Sequence, residues 1–222
     1  MNVPELLDLL GIMALIEISH QKTFRAEILN GENAPNKVLY VLHGYGQLVR
    51  YFIRKFASVP DDWLIVAPEG MHRFYLKGSS GRVGASWMTK EDRENDISDN
   101  ISYLNRIDQE ISKQFDIQER HLLGFSQGGA TAARWEQLGN VSFHSITLWA
   151  SVYPPDLEPI ASHKTKDRLF VIGSEDEFYD LEAQRKIETF YRQLQYQIIK
   201  YQGRHDIVNE TLTAVIDKIE GN

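Results

Sequence analysis

The stretch RHLLGFSQGGATAARWEQL, residues 120–138, decides the expected fold of this chain. RHLLGF is a short apolar run typical of a buried strand, and TAARWEQL is helix-like. Between them GFSQG fits the pattern G-x-S-x-G, with Ser126 at its centre, in the strand-to-helix context of a nucleophile elbow. Such a sharp turn lifts the serine oxygen above the sheet, and side chains at Gly124 and Gly128 would collide with the strand and helix packed there. The simpler alternative is a glycine-rich turn in which Ser126 is only a helix N-cap.

The rest of the chain alternates between strand-like and helix-like segments. The other strand candidates are KVLYVLHG, WLIVAPEG, HSITLWAS, RLFVIGS and YQIIKYQG. Helices are expected at LVRYFIRKF, from Asp96 to Phe115, around Ala130 to Leu138, from Asp180 to Leu194 and at IVNETLTAVIDKI. Because each pair of parallel strands requires a crossover connection, this alternation predicts an α/β fold with a largely parallel central sheet and helices on both faces. In such sheets ligands bind beyond the carboxyl ends of the strands.

Two regions depart from the alternation. Residues 14–29 suggest two β segments and predict an N-terminal antiparallel hairpin. Residues 71–90 show no sustained periodicity and predict a long loop, of a kind that is often functional. Its aromatic residues Phe74, Tyr75 and Trp87 either line a pocket or cover the core.

The composition excludes several classes of function. The chain has 222 residues, a formal charge of −7 spread along its length and no cysteine. It therefore offers no basic footprint for nucleic acid, and it cannot form disulfides, thiolate zinc sites or a cysteine nucleophile. No apolar run reaches the roughly 18 residues that span a bilayer, so no stable membrane insertion is expected. The apolar N-terminus contains acidic residues and lacks a basic n-region, which predicts a cytoplasmic protein.

No linker composition divides the chain, and we expect residues 1–222 to form one domain. The sequence leaves open whether residues 1–12 belong to that domain. It also leaves open whether the protein is a monomer or a homodimer.

A serine nucleophile needs a histidine that removes its proton and an acid that orients the histidine. In a fold with a nucleophile elbow the acid and the histidine follow the serine in that order. After RLFVIG comes Asp176, our choice for the acid, with Glu175 and Asp180 as rivals in the same loop. After the last strand comes His205, whereas His121, His144 and His163 do not follow a strand's carboxyl end. The predicted triad is therefore Ser126, Asp176 and His205.

Acyl transfer also needs donors for the developing oxyanion. In this architecture they are the backbone N–H after the nucleophile and one from the loop after an early strand. These positions are Gln127 and Tyr45, the latter flanked by glycines in LHGYG. His43 in the same segment is interpreted as structural.

These residues resemble the phospholipase/carboxylesterase family of α/β-hydrolases, which includes the acyl-protein thioesterases. The resemblance runs from about Lys37 to His205 through LHGYG, APEG, Trp87, GFSQGG, GSED and GRHDI. It implies an α/β-hydrolase fold and cofactor-free hydrolysis of carboxylic esters or thioesters through an acyl-enzyme on Ser126. It also implies the triad and oxyanion roles given above.

The chain departs from the family pattern in two places. Glu177, Phe178 and Tyr179 stand where family members usually have a Val-Pro pair, and the loop around residues 73–88 is more polar than in the thioesterases. A small soluble ester is therefore the expected substrate, with Phe74, Tyr75, Trp87 and Phe178 as the expected pocket wall.

Other functions remain as alternatives. They are an acyl-protein thioesterase or lysophospholipase, a dienelactone-hydrolase-like or peptidase activity, and a non-catalytic binding protein with the same fold. GSSGRVG lacks the Gly-Lys-Ser/Thr ending of a phosphate-binding loop. The seven histidines are dispersed without ligand spacing, so neither a metal nor another cofactor is expected.

Overall fold

The computed structural model describes residues 15–33, 35–159 and 165–221. The sequence-based expectations for residues 1–12, and His163, lie outside these ranges. Within them the strands are β1 (Ala26–Leu29), β2 (Lys37–Leu42), β3 (Trp63–Pro68), β4 (His72–Tyr75), β5 (Val83–Ser86), β6 (Glu119–Phe125), β7 (Ser145–Trp149), β8 (Asp167–Gly173) and β9 (Gln197–Tyr201). The α-helices are α1 (Val49–Phe52), continued by a 3₁₀ turn over Ile53–Phe56, α2 (Arg93–Gln114), α3 (Gln127–Leu138), α4 (Leu181–Gln193) and α5 (Asn209–Glu220).

Seven of the strands form one sheet in the order β1-β3-β2-β6-β7-β8-β9. All neighbours from β3 to β9 are parallel, and only β1 pairs antiparallel, with β3. The carboxyl ends of six strands therefore meet at one edge of the sheet, which confirms the predicted α/β architecture. None of the helices in the described ranges is both long and apolar enough to cross a bilayer.

The sheet is buried on both faces because its strands alternate between two cores. Val38, Tyr40 and Leu42 of β2 belong to one hydrophobic cluster, whereas Leu39 and Val41 belong to the other. Helices α2 and α3 contribute residues to the first cluster, and the α1 segment and α5 contribute to the second. Burial on both sides explains why these strands read as continuous apolar runs in the sequence.

Two sequence-based expectations need correction. The predicted N-terminal antiparallel element exists, but residues 15–25 form no strand, and β1 pairs with the distant β3. The predicted long loop over residues 71–90 contains a two-stranded antiparallel hairpin, β4–β5. The hairpin turns through Gly78 and Gly81, which adopt φ angles of +60° and +90° that favour glycine.

Candidate active site

Ser126 stands at a strained turn between β6 and α3. Its backbone angles are φ 54° and ψ −120°, a combination that residues with side chains rarely adopt. The turn is held by two backbone hydrogen bonds, from Ser126 N–H to the carbonyl of Trp149 and from Gly129 N–H to the carbonyl of Ser126. Strain of this kind persists only where the surrounding structure enforces it, and it is typical of functional sites.

The glycines around Ser126 are required by close packing. A Cβ atom at Gly124 would lie 2.4 Å from the carbonyl oxygen of Gly128, in the first turn of α3. A Cβ atom at Gly128 would lie 2.2 Å from the carbonyl oxygen of Leu42, at the end of β2. Both distances are far inside van der Waals contact, so any larger residue would push the helix away from the sheet. The predicted reason for these two glycines is confirmed.

His205 and Asp176 are joined across the loops that follow β9 and β8. Nδ1 of His205 lies 2.7 Å from Oδ2 of Asp176, whose side chain is fully buried. The other carboxylate oxygen of Asp176 accepts a hydrogen bond from Phe178 N–H at 3.0 Å. Because Nδ1 donates to the carboxylate, Nε2 is left as the proton acceptor of the imidazole.

The two rival acids in the β8 loop occupy different positions. Glu175 is exposed, and Asp180 caps α4 by accepting a hydrogen bond from Ala183 N–H at 2.8 Å. Asp176 is thus the carboxylate of these three that contacts His205.

The backbone on both sides of His205 is anchored by buried aromatic side chains. The hydroxyl of Tyr201 donates to the carbonyl of Arg204 at 2.8 Å, and Trp149 Nε1 donates to the carbonyl of Asp206 at 3.0 Å. The ring of His205 itself packs against Phe125, with 4.9 Å between the ring centroids. Since Phe125 directly precedes Ser126, this contact brings the imidazole close to the turn at Ser126.

The loop after β2 also adjoins the turn at Ser126. A Cβ atom at Gly44 would lie 3.2 Å from Cβ of Ser126. Gly44 N–H donates to Oε1 of Gln47 at 2.9 Å, and Gly46 N–H donates to the carbonyl of Ala85 at 2.8 Å. These bonds hold the loop without using the N–H of Tyr45 between the two glycines.

Gln127 has two roles in the local structure. As the first residue of α3, its backbone N–H has no partner within the helix. Its side chain binds the segment that follows β5, accepting from Trp87 N–H at 3.2 Å and donating to the carbonyl of Met88 at 2.8 Å. Sequence reasoning missed this second role, because no local pattern links Gln127 to residues so far away in the chain.

His43 is a buried structural residue. Its Nε2 accepts a hydrogen bond from Gly70 N–H at 2.9 Å, which leaves Nδ1 to donate to the carbonyl of Gly44 at 2.8 Å. Burial lowers the pKa of His43 to about 4, so the ring is neutral at neutral pH. Trp87 packs on this ring, and its Nε1 donates to the carbonyl of His43 at 2.8 Å.

The four aromatic residues predicted for the pocket wall do not form one surface. Phe178 is 71% exposed and packs edge-on against His205, and Phe74 packs against Tyr45. Trp87 is 0% exposed and belongs to the core. Tyr75 is next to Phe74 on β4, and adjacent strand residues point to opposite faces. Of the four, Phe74 and Phe178 pack their rings on residues of the predicted catalytic machinery, whereas Trp87 meets it through its backbone N–H, bonded to Gln127.

A second histidine–serine contact lies elsewhere in the sheet. His121 Nδ1 is 2.8 Å from Oγ of Ser145, and both side chains are buried. Ser145 is the first residue of β7, so the pair lies toward the amino ends of the strands, away from the edge where Ser126 stands. The contact satisfies two buried polar groups and offers no access to a substrate. Among the described residues no group of three or more potential ligands could hold a metal ion.

The parallel sheet, its antiparallel N-terminal strand and the strained Ser126 turn after β6 define an α/β-hydrolase. The sequence matches the family model described as Phospholipase/Carboxylesterase over residues 24–222. The chain therefore belongs to the phospholipase/carboxylesterase family.

Solved structures support the same fold. The carboxylesterase from Mesorhizobium loti superposes with a TM-score of 0.71 at 17% identity, over 90% of this chain and 95% of that one. Esterase PE8 superposes with a TM-score of 0.68 at 20% identity, over 89% of this chain and 100% of that one. The Zea mays acyl-protein thioesterase 2 superposes with a TM-score of 0.67 at 16% identity, over 89% of this chain and 98% of that one. A sequence comparison with curated proteins gives no match.

Proposed function

We propose that this protein is a serine hydrolase that cleaves carboxylic esters or thioesters of small soluble substrates through an acyl-enzyme on Ser126. The observation that carries the proposal is the strained backbone of Ser126 next to Phe125, on which His205 packs, with Nδ1 of that histidine bonded to the buried Asp176. Membership of a family of carboxylesterases and thioesterases supports the same reaction class.

In the first half-reaction Oγ of Ser126 attacks the carbonyl carbon while its proton passes to Nε2 of His205. Asp176 holds the imidazole in the required tautomer and stabilises the imidazolium that forms. The backbone N–H groups of Tyr45 and Gln127 donate to the oxyanion, and one such donor is worth on the order of 3 kcal/mol in the transition state. The C–O or C–S bond then breaks, and the leaving alcohol or thiol takes the proton from Nε2.

In the second half-reaction a water molecule attacks the acyl-enzyme. His205 accepts a proton from the water, and as the tetrahedral intermediate collapses to the carboxylic acid, the bond to Oγ of Ser126 breaks and that oxygen takes the proton back from Nε2. No cofactor takes part in these steps.

The decisive experiment combines covalent labelling with turnover. The native protein should react with a fluorophosphonate probe at Ser126, located by peptide mass spectrometry, and should hydrolyse short p-nitrophenyl esters. Ser126→Ala should abolish labelling and lower kcat by several orders of magnitude. A Ser126→Ala variant that retained its esterase rate would contradict the mechanism, and a native protein that neither reacts nor turns over would favour a binding function.

A panel of matched oxygen esters and thioesters of rising acyl length would define the substrate. The exposed Phe178 and the partly buried Phe74 are the residues from which we expect a chain-length preference. A preference for long acyl thioesters on a protein would instead favour an acyl-protein thioesterase.

A further inference from the structure

A groove of about 490 Å³ adjoins the candidate active site. It runs between the segment that contains α1 and the β4–β5 hairpin. Its lining includes an apolar set, Leu48, Phe52, Leu76 and Val83, and a cationic set, Arg50, Lys55 and Arg82. A groove with both kinds of lining suits an organic ligand that carries a negative charge.

The charge of this groove contrasts with the charge of the chain. The protein has a formal charge of −7, yet none of the described residues that line the groove is acidic. Lys55 is paired with Asp206 at 2.6 Å. Arg50 and Arg82 form no ion pair within the described ranges, so both guanidinium groups are available to an anion. Clefts lined by one sign of charge raise the local concentration of oppositely charged ligands.

The groove lies next to two parts of the candidate active site, the loop after β2 and the segment before Ser126. Gly46 and Gln47 line it and belong to the same loop as Tyr45. Phe52 lies 6.4 Å from Phe125, centroid to centroid, and Phe125 directly precedes Ser126. A ligand in the groove would therefore lie against the loop that carries Tyr45, close to the Ser126 turn.

We propose that this groove binds an anionic group of the substrate, so that the natural substrate is an aliphatic ester or thioester with a carboxylate or phosphate some atoms from the scissile carbonyl. This inference rests on the proposed function and names the substrate class of the same site. Arg50 and Arg82 bind the anion, and the apolar lining contacts the connecting methylene groups. Arginine suits this role because its planar guanidinium can donate two parallel hydrogen bonds to a carboxylate or phosphate.

The kinetic test uses two pairs of esters that differ in one charge. p-Nitrophenyl hydrogen adipate is compared with p-nitrophenyl hexanoate, and 4-acetoxybenzoate with its methyl ester, so that the anion is presented on the acyl side or on the alcohol side. In the Arg50→Gln/Arg82→Gln double variant, the ratio of kcat/KM for the charged over the neutral ester should fall about fivefold in one of the two pairs, a size consistent with exposed charge pairs. The Arg50→Lys/Arg82→Lys variant should recover part of that ratio.

Arg192 provides a matched control. It is an exposed arginine in the last turn of α4, a helix that runs away from the active edge, and it forms no ion pair in the described structure. Arg192→Gln should leave the ratio unchanged for both pairs. An equal ratio in the wild type and the Arg50/Arg82 double variant for both pairs would overturn the inference while leaving the hydrolase function intact.

A binding measurement separates this inference from the proposed function. Adipate should bind the wild type in a calorimetric titration at low ionic strength, and binding should weaken in the double glutamine variant and at high salt. If no ester is hydrolysed but adipate binding depends on the two arginines, the anion site stands and the hydrolase proposal fails. If adipate does not bind, or binds both proteins equally, the anion site fails.

Discussion

Nδ1 of His205 lies 2.7 Å from Oδ2 of Asp176, although 29 positions separate the two residues in the chain. Asparagine at position 176 cannot accept the Nδ1 proton in the same way and favours the wrong tautomer of the imidazole. We expect Asp176→Asn to lower kcat by about three to four orders of magnitude, with a much smaller change in KM. Initial rates with a p-nitrophenyl ester measure the effect. Glu175→Gln, in the same loop but exposed, is the matched control, and equal losses in the two variants would refute the assignment of the acid.

Gly128 is the position at which a single added methyl group should most disturb the turn at Ser126. A Cβ atom there would meet the carbonyl oxygen of Leu42 at 2.2 Å, and that oxygen is fixed in the sheet. Gly128→Ala should lose most activity and about 1–3 kcal/mol in the free energy of unfolding, as expected for overpacking. A methyl group added at Gly31 would lie 3.4 Å from its nearest neighbour, which is ordinary contact. Urea unfolding of Gly31→Ala should therefore match the wild type, and a stable, active Gly128→Ala would disprove the packing account.

Alanine substitutions at Phe178 and Trp87 should have different effects, the first on substrate binding and the second on the stability of the fold. Phe178 is exposed beside His205, so Phe178→Ala should change KM or the chain-length preference and leave the free energy of unfolding within about 0.5 kcal/mol of the wild type. Trp87 is buried in the core, so Trp87→Ala should cost about 3–5 kcal/mol. A panel of esters of rising acyl length tests the substrate preference of Phe178→Ala, and chemical denaturation measures the free energy of unfolding of both variants. A Phe178→Ala variant with an unchanged substrate profile would remove this residue from the proposed pocket.

His43 predicts a pH dependence of stability. Its pKa falls from 6.5 to about 4 in the folded protein because the ring is buried. Between these pH values His43 binds a proton in the unfolded chain but not in the folded protein, so protonation favours unfolding. Above pH 6.5 the ring is neutral in both states, and below pH 6.5 the free energy of unfolding falls with the pH. At pH 5 the loss is about 2 kcal/mol relative to pH 7. Denaturant titrations at both pH values should give a smaller difference for His43→Gln, and an unchanged difference would show that His43 does not titrate in this way.

Much of the architecture is readable from the sequence because the central strands are buried on both faces. Such strands appear as continuous apolar runs, and β2, β3, β6, β7 and β8 all follow that pattern. The β4–β5 hairpin is harder to predict, because its strands have only four residues each and β4 is largely exposed. The partner of β1 cannot be found locally, since it is the distant β3.

The residues of the candidate site also differ in how far the sequence alone predicts them. The positions of Ser126 and His205 follow from strand order and a local motif. The choice of Asp176 over Glu175 and Asp180 depends on the path of the backbone after β8, which no spacing rule specifies. The burial of Trp87 and the cationic groove depend on contacts between segments far apart in the chain, and sequence patterns do not record such contacts.

The residues proposed for catalysis come from loops after β2, β6, β8 and β9, and β9 is the outermost strand on its side of the sheet. Partially folded forms that lack β9 therefore cannot hydrolyse an ester by the proposed mechanism, even if the turn at Ser126 has already formed. Recovery of enzyme activity during refolding thus reports the docking of the last strand, and it should lag behind any spectroscopic signal from the central strands.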